Sequence, residues 1–170
     1  MNDQSDYLSL LDAAMHQLKD SPSELDQQLY SYFTTLRHQA EGAQFAVRPP
    51  PPVAMLNRVV VDIERKARQD SNVVQKGFAS VASFFLIFTS ELRKIICGNR
   101  KTPGKLGREM HAVLAALAAF IAAKLGVSDP TATGIAVLLL ITITQATKNA
   151  FCRMTDIEAY KAIRDALEKS

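Results

Sequence analysis

The sequence predicts an all-α fold: a compact bundle of about seven helices around a central apolar helix at residues 130–148. Three observations lead there. The stretch from Pro130 to Thr147 runs eighteen residues without a charge and is apolar nearly all round, so it belongs in the middle of a core or in lipid. The segments before it carry apolar residues at helical spacing on single faces, as helices surrounding a core do. Their connections are short and rich in capping residues.

The first helix is expected over residues 4–18. Tyr7, Leu8, Leu11, Met15 and Leu18 fall on one face, with Asp3 as its cap. A second start signal follows at once: Ser21 as cap, Pro22 at the first helical position and Glu24 three residues beyond Ser21. The helix it opens carries Leu25, Leu29, Tyr32, Phe33 and Leu36 on one stripe and ends at Gly42. Two helices joined by so short a turn form an antiparallel hairpin.

Arg48-Pro49-Pro50-Pro51-Pro52 cannot lie inside a helix, because proline lacks the amide donor and clashes with the preceding turn. It reads as a short polyproline II spacer, with a docking motif for an aromatic-lined groove as the sharper alternative. Residues 53–69 place Met55, Val59, Val60, Ile63 and Ala67 on a helix face. Val59-Val60-Val61 also suits a strand, but no partner strand is evident.

Asn72 and Gln75 open a long helix to about Ile96, striped with Val74, Phe78, Val81, Phe85, Phe88, Leu92 and Ile95 and closed by Gly98. A basic loop with Gly104 and Gly107 leads to an alanine-rich helix at 108–125, starting no earlier than Arg108 because both glycines oppose it. Gly126 ends that helix in the left-handed conformation. Asp129 caps the next, with Pro130 at its first position. The result is a second hairpin, 108–148. Thr155 with Glu158 then opens a closing surface helix at 156–168.

Charge divides the chain. Residues 1–47 hold seven acids against Lys19 and Arg37, whereas residues 48–170 hold eighteen bases against ten acids. The expected organisation is an acidic N-terminal helical hairpin at 1–47, a proline spacer at 48–52 and a bundle body at 53–170. The start is polar and acidic, without the basic and apolar regions of a secretory signal. Two cysteines, Cys97 and Cys152, make no disulfide framework, and a reducing cytoplasmic setting is expected.

Lipid is the competing home for the 108–148 hairpin. Eighteen residues is the lower edge of a span, and this run is diluted by threonines, a glutamine and a glycine. Its hairpin partner is charge-free only over 112–123, and Lys124 and Asp129 stand at the tip. Each of those charges costs about 2.5–3.5 kcal/mol at the bilayer centre. The amphipathic helices also need a core to cover. Burial in protein is therefore expected, with conditional or peripheral membrane association as the alternative.

The residues offer little chemistry. His16, His38 and His111 have no second ligand at i+3 or i+4 and read as boundary residues, not metal sites. Pro103-Gly104-Lys105-Leu106-Gly107 lacks the frame of a phosphate loop. No catalytic residue, metal or cofactor is expected, and the chain reads as a non-enzyme. Two candidate surfaces remain. Arg93, Lys94, Arg100, Lys101, Lys105 and Arg108 form a basic stretch without an acid, suited to an anionic partner. Glu24, Asp26, Arg37 and Glu41 are expected on the exposed side of the first hairpin as a protein-contact surface. The leading function is a non-catalytic protein-binding or regulatory module, of the adaptor, accessory or immunity-like kind. Membrane association through 108–148, with anionic lipid as partner, is the second reading. Nucleic-acid binding through 93–108 is the third, weakened by the lack of a stacking aromatic there.

Overall fold

The computed structural model describes residues 3–69 and 106–146, together with Glu158 and Lys161, which are helical. Among these residues every element is a helix and none is a strand. The five are α1 (Asp3–Leu18), α2 (Glu24–Ala40), α3 (Pro52–Gln69), α4 (Leu106–Leu125) and α5 (Asp129–Ala146). The expected helix 72–96, the loop after it, most of 156–168 and both cysteines lie outside the described residues.

Two compact units are built from non-contiguous chain. The first joins Met1–Pro50 to Gly107–Leu138, and the second joins Pro51–Leu106 to Leu139–Ser170. In the first, α1 and α2 form the expected hairpin. Leu25, Leu29, Tyr32, Phe33 and Leu36 of α2 are all buried, as their spacing requires. The α1 stripe is rotated from expectation: Leu10 and Ala14 join Leu11 and Leu18 in the core, while Leu8 and Met15 are only half-buried.

The start of α2 also differs. Ser23, not Ser21, is the cap, in extended backbone with its hydroxyl accepting from the Asp26 amide. The helix therefore begins at Glu24, two residues later than Pro22. Ser21 is engaged elsewhere: its hydroxyl donates to the Asp26 carboxylate and its carbonyl accepts from Gln27 Nε2 at 2.6 Å. At the other end Gly42 takes φ 98°, and the Ala43 amide reaches back to the His38 carbonyl at 3.0 Å. That closure uses carbonyls left over by the last turn, and glycine tolerates the left-handed backbone it needs. The chain then returns to α2, where the Tyr32 hydroxyl donates to the Pro50 carbonyl at 2.7 Å.

In the second unit, α3 resolves the helix-or-strand ambiguity in favour of helix. Pro52 is its first residue, and the amides of Ala54 and Met55 both reach the Pro51 carbonyl. Pro52, Met55, Leu56, Val59 and Val60 are buried at i, i+3, i+4, i+7 and i+8, leaving Val61 on the wet side. Asp62 pairs with Arg65 and Lys66 on the next turn. Burial pushes the Asp62 carboxyl up, but the hydrogen bonds and charges of Lys66 and Arg65 outweigh it and hold it below the ordinary carboxylate range.

The second hairpin is well specified by its turn. Gly126 has φ 65° and its amide closes on Ala122 at 2.9 Å. α5 starts one residue earlier than expected, with Ser128 before it: the Ala132 amide donates to the Ser128 carbonyl at 2.9 Å, and Asp129 lies in the first turn. α4 likewise begins at Leu106, two residues before Arg108, so Gly107 is accommodated within its first turn. Between α4 and α5 the chain direction turns by 117°. Every residue from Thr131 to Thr142 is buried, and Thr133 returns its hydroxyl to the Asp129 carbonyl at 2.9 Å.

At Gly134 α5 packs tightly on the first hairpin. A Cβ there would stand 3.0 Å from Leu29 Cδ1 and 3.5 Å from Leu18 Cδ1. Alanine gains about 1 kcal/mol of helix propensity and has to displace only the end of a leucine, so Gly134→Ala should stay within about 1 kcal/mol of the parent. Gly134→Val adds two branches at the same point and should cost about 2–3 kcal/mol. Urea unfolding of both variants checks the contrast, and equal midpoints would remove the close approach.

Candidate functional site

The expected protein-contact residues do not share one environment. Glu24 is exposed at the first turn of α2 and Glu41 is exposed at its end. Arg37 is half-buried and engaged: Nε donates to Asp12 Oδ1 at 2.6 Å and Nη1 to Glu41 Oε1 at 2.5 Å. The Asp12 hydrogen bond, then the Asp12 and Glu41 charges, raise its already high pKa. Arg37 thus ties α2 to α1 and braces its own last turn, while keeping about a third of its side chain in solvent.

Asp26 corrects the expectation. It is fully buried, not on the exposed side of the hairpin. Its spacing explains this: Asp26 stands three residues before Leu29 and seven before Phe33, on the stripe that enters the core. A buried carboxylate needs partners, and hydroxyls supply them. Ser21 Oγ donates to Oδ2 at 2.5 Å, and Thr131 Oγ1 donates to Oδ1 at 2.6 Å. Ser128 Oγ lies 3.0 Å from Thr131 Oγ1 and extends the network. The carboxylate sits in the first turn of α2, where the helix dipole favours negative charge. This cluster joins the turn between α1 and α2 to the start of α5, and no local pattern marks Thr131 as its partner.

Of the basic candidates, Arg93, Lys94, Arg100, Lys101 and Lys105 lie outside the described residues, and Arg108 falls in the first turns of α4. The three histidines are all exposed, and no cluster of metal-binding side chains occurs among the described residues. One open depression, of about 650 Å³, follows the outward ridges of α1 through Gln4, Ser5, Leu8, Ser9, Asp12 and Ala13, and His111 of α4 closes one side. It offers hydroxyl, amide and imidazole groups for hydrogen bonding, but the Asp12 charge is already answered by Arg37. Tyr7 and Tyr32 have hydroxyl pKa values pushed up by burial, and in Tyr32 also by the Tyr7 charge, so both stay protonated hydrogen-bonding groups at neutral pH.

The other notable surface is α4. Leu114, Leu117 and Ile121 are buried at i, i+3 and i+7. The opposite side exposes Ala112, Ala115, Ala116, Ala119 and Ala123, uncharged from His111 to Lys124. Lys124 lies 5.8 Å from the Phe120 ring centroid at the end of that face. The sequence shows the alanines plainly, but alanine is neutral between inside and outside, so periodicity could not say which way they face.

No protein-family model, curated protein or solved structure matches the chain.

Proposed function

We propose that this chain is a non-catalytic protein-binding or regulatory module of the adaptor, accessory or immunity-like kind, built as a compact bundle of about seven helices around α5. The observation that carries the reading is the outward face of α4. A solvent-facing helix normally places charged side chains opposite its buried stripe. Here five alanines stand there instead. Small side chains let another helix approach closely, and an exposed uncharged patch marks an interaction surface.

The test is affinity capture with the wild type and with the double variant Ala116→Glu/Ala119→Glu. Both positions are exposed, and glutamate is a good helix former, so the circular dichroism spectrum should be unchanged. A partner protein held by the wild type should be lost from the double variant. Identical capture by both overturns the reading.

A second reading is favoured by a different observation. No single described helix is long and apolar enough to cross a membrane, but α4 and α5 together, His111–Leu125 with Asp129–Thr142, meet the length and composition of a bent pair. In that reading the protein associates with a bilayer through this hairpin.

A further inference from the structure

We propose that the chain pairs with a second copy of itself by exchanging one loop: Phe45 and Val47 of each copy enter the depression between α1 and α4 of the other. Among the described residues three large apolar side chains are exposed, Phe45, Val47 and Val61. Two of them share the loop after α2, where Val47 keeps 83% of its surface in solvent. Every residue from Glu41 to Arg48 is exposed. A single apolar side chain on a surface is ordinary, but two within three residues of an exposed loop form a knob.

The loop is pinned at both ends. The Ala43 amide closes on the His38 carbonyl at 3.0 Å, and the Tyr32 hydroxyl holds the Pro50 carbonyl at 2.7 Å. Between these points no backbone amide or carbonyl from Gln44 to Pro49 has a protein partner among the described residues. Pinned ends lower the ordering cost of binding, and the unpaired backbone groups need hydrogen bonds wherever the loop is covered. The depression supplies both kinds of contact. Leu8 and Ala13 give apolar surface for Phe45 and Val47, while Gln4, Ser5, Ser9 and His111 carry donors and acceptors for the backbone. Its volume of about 650 Å³ admits both side chains. In its own chain Phe45 does not line it.

Charge agrees with this pairing. Arg48 follows the apolar pair and has no acidic partner among the described residues. Asp12 lines the depression, and Arg37 takes only its Oδ1, leaving Oδ2 of a side chain 53% exposed to accept from the Arg48 of the other copy. Knob and depression are also neighbours on one surface. Gln4, in the lining, donates to the carbonyl of Ala40, the last residue of α2, at 3.3 Å, and Phe45 stands five residues further on. Complementary features side by side let one two-fold axis satisfy both and close the assembly at a dimer, which favours a second copy over an unrelated protein. None of the outward alanines of α4 lines this depression, so the surface is separate from the one above.

The experiment is sedimentation velocity on the full chain from about 5 to 500 µM, the range that suits a small interface. The wild type should shift from monomer to dimer as concentration rises. Phe45→Asp in the exposed loop should weaken pairing about tenfold or more, and so should Leu8→Arg in the depression. Circular dichroism checks that both keep the fold; if Leu8→Arg does not, Ser5→Arg, at an exposed position of the same depression, takes its place. Mixed in equal amounts, the two variants should pair better than either alone, because one intact knob then meets one intact depression and the two introduced charges meet each other. Val61→Asp and Ala116→Glu/Ala119→Glu should pair as the wild type does. A wild type that stays monomeric throughout, or pairing unchanged by Phe45→Asp, overturns the proposal. So does a mixture no better than its components. Loss of pairing in Ala116→Glu/Ala119→Glu alone overturns it too, and moves the contact to α4 in support of the binding face described above.

Discussion

Ile135→Glu is expected to cost about 4 kcal/mol or more and to leave the protein largely unfolded at 37 °C, whereas Ala119→Glu should change stability by less than about 0.5 kcal/mol. The two positions lie on adjacent helices of similar composition, and burial alone separates them. Ile135 is fully buried. Its helical neighbours Thr131, Ala132, Leu138 and Leu139 are buried as well, so a glutamate there has no nearby route to water. The carboxyl must then either stay charged without a partner or take up a proton against its normal tendency, and both cost several kcal/mol on top of the lost apolar contact. Ala119 faces solvent, so the same side chain is hydrated there. Chemical unfolding of the two variants checks this. A tolerated charge at residue 135 would mean that α5 has a wet face.

Asp26→Ala should destabilise by about 3 kcal/mol, and Asp26→Asn by roughly half of that. Alanine removes the acceptor for both Ser21 and Thr131, opens a polar void and takes a negative charge from the first turn of α2. Thr131 can turn to Ser128, 3.0 Å away, which limits the loss on that side. Asparagine keeps the shape and one good acceptor, but lacks the charge that strengthens both bonds. The Thr131→Val variant supplies a double-mutant cycle. A coupling of about 1–2 kcal/mol between residues 26 and 131 is expected, and strict additivity would deny the bond.

Residue pattern made the helices legible where burial follows periodicity. The stripe of α2 from Leu25 to Leu36 enters the core as its spacing demands. The ends were legible where glycine forces the chain, at Gly42 and Gly126. What stayed hidden turned on choices between near-equal alternatives. Ser21 and Ser23 are both good caps, and the competition was decided by Asp26, which draws the Ser21 hydroxyl to itself. Residue type alone makes Asp26 a surface acid, whereas its position on the stripe points inward. Its partner lies 105 residues away, beyond the reach of any local pattern. Leu8 and Leu10 flank the Leu11–Leu18 stripe of α1 on opposite sides, and local spacing does not say which of the two turns inward. The α4 alanines fit either environment, so the candidate surface emerged from the fold and not from the letters.

That long separation has a bearing on how the protein is made. A ribosome adds about 5–20 residues per second, so Thr131 leaves the tunnel roughly 5 to 20 seconds after Asp26. Over that interval the newborn α1–α2 pair waits with its α5-facing leucines, Leu18 and Leu29, still uncovered at the site that Gly134 will fill. It is in this window of translation, before the last partner arrives, that a chaperone has most to bind.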